Sequence, residues 1–179
     1  MIERIIPHRA DKVDWLKELT LNNRYATGTL LESLKILMDY RSIGDVLTDR
    51  RGYPFKFIFN GLGSPRVTQY TTRMLLAKNN TNILAELTVQ DYVEIGTISA
   101  KLTLLDLTDA KVRDLNLILK LCDLNNVSVK YIPATMIEIN VEGLNGFKQL
   151  INICDSICES YRRGVPTSTE VYKSARQSR

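Results

Sequence analysis

The sequence predicts an α+β fold, with helices packed on a largely antiparallel sheet, and three patterns carry that prediction. Residues 97–104 alternate Ile98, Ala100, Leu102 and Leu104 with Thr97, Ser99, Lys101 and Thr103, the period of two expected of a strand with one buried face. Phe147, Leu150, Ile151, Cys154, Ile157, Cys158 and Tyr161 recur at helical spacing near the C-terminal end. Strand-like and helix-like segments come in runs rather than in strict alternation, which argues against a parallel βαβ architecture.

Residues 1–48 read as a helical N-terminal part. Val13, Leu16 and Leu19 repeat at three-residue intervals behind Asp11, a residue suited to cap a helix. Asn22 and Asn23 make a turn, and Leu30, Leu34, Leu37 and Met38 form a second stripe, with Thr27 or Thr29 as its N-cap. That helix can continue through Ile43, Val46 and Leu47 before Arg50, Arg51 and Gly52 end it.

From Tyr53 the period changes to two. Four strands are expected, over residues 53–59, 66–76, 83–89 and 97–104. Glycine, proline and asparagine mark the connections at 60–65 and 78–80, and such short connections favour an antiparallel meander. Thr108 then caps a helix bearing Val112, Leu115, Ile118, Leu119 and Cys122, which Asn125 and Asn126 are expected to close. Two further strands flank Pro133, at 127–132 and 134–141, and the last long helix stops at Gly164. Residues 1–164 make a single domain in this reading. Residues 165–179 make a basic, flexible tail, since they are rich in Ser, Thr, Lys and Arg and poor in apolar side chains.

Composition narrows the function classes. With 179 residues, 44% of them hydrophobic and 25% charged, the chain can bury a core without disulfides or metals. The start lacks the apolar run of a secretory signal and the longest apolar runs are short, so a cytoplasmic protein without a membrane segment is expected. Cys122, Cys154 and Cys158 are an odd set and read as reduced thiols; the last two share the apolar stripe of their helix, which argues packing over metal ligation. His8 is the only histidine, without a partner at catalytic or metal-binding spacing. The acid pairs Asp106 and Asp109, Asp91 and Glu94, and Glu138 and Glu142 are explained by helix starts and solvated strand ends. The glycines of 60–66 lack the strand–glycine–helix setting of a nucleotide loop. No catalytic residue, metal ligand or cofactor is therefore expected.

The one concentration of binding chemistry is an aromatic and basic block. Tyr53, Phe55, Phe57 and Phe59 are spaced two apart, and three of the four phenylalanines lie among them. Between Arg41 and Lys78 seven cations stand against two acids, while the last twenty residues carry five against one. Rings stack bases and cations follow phosphates, so this block fits a non-catalytic protein that binds RNA or single-stranded DNA. In that reading Tyr53, Phe55 and Tyr70 stack, and Arg50, Arg51, Lys56, Arg66 and Arg73 neutralise phosphates. The alternative is a structural or assembly protein, a homo-oligomer or a scaffold in a larger particle. Exposure of the rings separates the two: rings in the core, with an apolar patch elsewhere, favour assembly. An enzyme of another type would show a deep pocket with converging polar groups.

Overall fold

Alternation fixes which face of each strand is buried, and the pairing follows it. The structure is a computed structural model describing residues 4–6, 28–40, 44–48, 55–60, 67–77, 82–92, 97–133 and 135–177. Its elements in chain order are β1 (Arg4–Ile6), α1 (Gly28–Tyr40), β2 (Gly44–Thr48), β3 (Phe55–Asn60), β4 (Val67–Leu76), β5 (Ile83–Tyr92) and β6 (Thr97–Leu105). There follow α2 (Asp109–Lys120), β7 (Ser128–Ile132), β8 (Met136–Glu142), α3 (Gly143–Arg163) and α4 (Ser168–Gln177).

All the strands join one antiparallel sheet in the order β1-β2-β4-β5-β6-β8-β7, with β3 also on β4. The expected meander is β3-β4-β5-β6, and the two strands around Pro133 are β7 and β8. In β6, Ile98, Ala100, Leu102 and Leu104 are buried, and their neighbours are not. Tyr70, Met74 and Leu76 of β4, Ile83, Ala85, Leu87 and Val89 of β5, and Ile137, Ile139 and Val141 of β8 continue that covered face.

The helices lie on this one face. α3 crosses β6 and β8 with Phe147, Leu150, Ile151, Cys154 and Ile157 turned inward, and α1 and α2 flank it. Its start is held close to the sheet. Gly143 takes φ +73°, a conformation that favours glycine, and a Cβ on Gly146 would stand 3.0 Å from Val141 Cβ. α2 is capped as expected, with the Lys111 N–H donating to Thr108 Oγ1 at 3.2 Å.

Several expectations need correction. The helical reading of residues 44–47 gives way to β2. β4 spans ten residues and β3 only six, so β3 pairs the edge over 67–72 and β2 takes 73–76, with buried Val46 opposite Met74. Residues 4–6 are likewise a strand, so the N-terminal part is not wholly helical. The helix expected over residues 11–20 lies outside the described residues. α2 closes at Lys120 rather than at Asn125, and Asn126 serves the next turn at φ +62°. The segment expected as a flexible tail contains α4. The Glu170 N–H donates to Thr167 Oγ1 and the Thr167 N–H to Glu170 Oε2, a reciprocal capping box, and the helix rests on α2.

Candidate interaction face

Because every helix described lies on one side, no described element covers the other side of the sheet. The register sorts its side chains into rows across β4, β5, β6 and β8. At one end stand Leu75, Leu84, Leu105 and Met136, extended by Ile132 on β7; all five are partly exposed. The next row is charged: Arg73, Glu86, Thr103 and Glu138, with Lys130 beyond. Then come Thr71, Thr88, Lys101 and Asn140, and last Gln69, Gln90, Ser99 and Glu142.

Cross-strand hydrogen bonds hold these rows. Thr71 and Thr88 meet through their hydroxyls at 3.2 Å, and Gln90 Nε2 donates to Gln69 Oε1 at 3.0 Å. Arg73 forms a cross-strand ion pair with Glu86 at 3.9 Å, while along β8 itself Asn140 Nδ2 donates to Glu138 Oε1 at 2.9 Å. An open concavity of about 1030 Å³ occupies the polar end. Lys101, Glu138, Asn140 and Glu142 line it from the sheet, and Asn145 and Gln149 from the start of α3.

Of the residues expected to bind nucleic acid, Arg50, Arg51, Tyr53 and Arg66 lie outside the described residues. Phe55 and Lys56 are placed by backbone register, opposite Thr72 and Thr71, with Phe57 opposite Tyr70. Tyr70 is a correction. It is fully buried on the helix-covered face, so it offers no ring to a base. Ser33 gives its single hydroxyl proton to Leu30 O at 2.7 Å, and therefore accepts from the Tyr70 hydroxyl at 3.0 Å. Burial pushes the Tyr70 phenol well above its usual range. Arg73 does reach the uncovered face, but beside Glu86.

The charge of this face is balanced. Among its described residues Lys56, Arg73, Lys101 and Lys130 stand by register against Asp45, Glu86, Glu138 and Glu142, and the concavity has two carboxylates to one ammonium. Such a lining gives phosphate no net attraction. Among the described residues no group of three His, Cys, Asp or Glu side chains could hold a metal ion. None of the three thiols is in a disulfide, and burial raises the pKa of each; for Cys154 the neighbouring Cys158 and Asp155 add to the effect. Thiols held protonated are poor nucleophiles. Among the described residues no helix is long and apolar enough to cross a membrane. The apolar row escaped the sequence reading, although its signal was present: Leu75, Leu84 and Leu105 each fall out of phase with their strand's alternation.

A scan of protein-family models found no match to this chain, and searches of curated proteins and of solved structures found none either.

Proposed function

We propose that this chain is a non-catalytic assembly protein, which self-associates or scaffolds a larger particle by docking a protein surface on the uncovered face of its sheet. The observation that carries this reading is the row Leu75, Leu84, Leu105, Met136 and Ile132, partly exposed across the sheet. Apolar side chains aligned over adjacent strands mark a contact surface more than solvation does. The amide and hydroxyl rows beside it supply the directional bonds of an interface rim. A reagent that acylates amines tests the reading through exposed Lys101, with Lys120 on α2 as the internal reference. Lys101 should be protected relative to Lys120 in the chain as isolated and regain reactivity on dilution. Leu84→Glu should abolish the protection while leaving the fold intact.

Binding of single-stranded nucleic acid is the second reading, favoured by one observation. The register sets Lys56 opposite Thr71, diagonal to Arg73, so two cationic positions adjoin at the β3–β4 edge. It becomes the better reading if Lys101 is never protected and labelled single-stranded RNA binds with a salt slope that Arg73→Glu reduces by about 0.7.

A further inference from the structure

We infer that the surface docked on this face is the same face of a second copy, related by a two-fold axis that runs along the strands between β5 and β6. The inference rests on the docking role proposed above and names the partner. Such an axis lays β4 over the second copy's β8 and β5 over its β6, and each cross-strand row keeps its level. The pairings that result among these four strands are complementary. Leu84 meets the second copy's Leu105, and Leu75 its Met136. Arg73 meets Glu138, twice by symmetry, while Glu86 meets Thr103. In the polar rows Gln69 meets Glu142, Thr88 meets Lys101 and Gln90 meets Ser99.

Two other two-fold placements fail on charge. An axis along β6 itself sets Arg73 over Lys130, and an axis across the strands at the charged row sets Arg73 on Arg73 and Glu86 on Glu86. Like charges in contact oppose association strongly, so both of these placements are disfavoured. Stacked sheets pack about 10 Å apart with strands rotated by about 30°. At β4 and β8 that rotation shifts facing positions by roughly 4 Å, which arginine and glutamate side chains can absorb. Four strands about 4.8 Å apart and four rows about 6.8 Å apart cover roughly 500 Å² on each copy, the low end for a specific interface.

The symmetry of the Arg73–Glu138 contact makes the test selective. Arg73→Glu alone faces glutamate with glutamate, and Glu138→Arg alone faces arginine with arginine. A heterodimer of the two variants restores both attractive pairs. Sedimentation velocity should show the native chain as a dimer, each reversal weakening it by roughly 100-fold or more, and an equimolar mixture recovering dimer mass. Circular dichroism checks folding. If a reversal fails to fold, Arg73→Gln and Glu138→Gln should each give a weaker dimer. A native dimer indifferent to both reversals, or a mixture that recovers nothing, overturns this two-fold; the docking role then stands if Lys101 is still protected. A native chain that stays monomeric at every concentration overturns the second copy as partner.

Discussion

Replacing Tyr70 separates a core ring from a base-stacking ring, and the two roles predict opposite results. Tyr70→Phe removes one hydroxyl and leaves Ser33 still bonded to Leu30 O at 2.7 Å. The expected cost is about 1 kcal/mol, the net worth of one neutral hydrogen bond. Tyr70→Ala empties a fully buried site between β4 and α1, and large-to-small changes of an aromatic core residue cost about 3–5 kcal/mol. Urea unfolding followed by circular dichroism measures both. The raised phenol adds a pH test. Above the ordinary value near 10 the unfolded chain gives up a proton that the folded Tyr70 keeps. Its contribution is therefore complete below about pH 10 and lost as pH rises beyond it, and Tyr70→Phe should make the alkaline decline shallower. A stacking ring would instead leave stability untouched and cost about 1–3 kcal/mol of binding to single-stranded RNA. Tyr70→Ala with native stability would refute the core placement.

Two local devices give further expectations. Thr108→Ala deletes the hydroxyl that accepts from the Lys111 N–H, and should lower stability by about 1 kcal/mol in urea melts, whereas Thr108→Ser should hardly change it. Gly146→Ala drives a methyl to 3.0 Å from Val141 Cβ, so despite alanine's better helix propensity the thermal midpoint should fall; a rise would mean that α3 lifts from β8 without cost.

The parts of the fold that the sequence revealed are those where burial imposes a period. The alternation of β6 and the stripe of α3 each bury one face, so the pattern records the packing. β2 was not legible because Val46 and Leu47 are adjacent and suit either period; the unpaired end of β4 decides between them. α4 was missed on its low apolar content, although Thr167 and Glu170 carry the capping-box spacing. Tyr70 was misassigned against a signal already present, since its even position shares a phase with Met74 and Leu76 rather than with Arg73. The candidate face was least legible. A leucine out of phase in one strand means little, and only the pairing register brings Leu75, Leu84 and Leu105 side by side.

That face also limits how the chain can associate. The apolar row is one residue deep, five strands at about 4.8 Å by a row width of about 6.8 Å, or roughly 160 Å² on each copy. At about 25 cal/mol per Å² its burial contributes about 4 kcal/mol per copy, and two copies about 8 kcal/mol. Association costs about 4–15 kcal/mol in lost translation, rotation and ordering, so the leucines alone leave little or no surplus. The remainder has to come from the polar and charged rows, where Arg73 and Glu138 decide whether facing groups attract or repel. In the proposed dimer the apolar row supplies only part of the drive, and the charged row beside it disfavours placements that set like charges together.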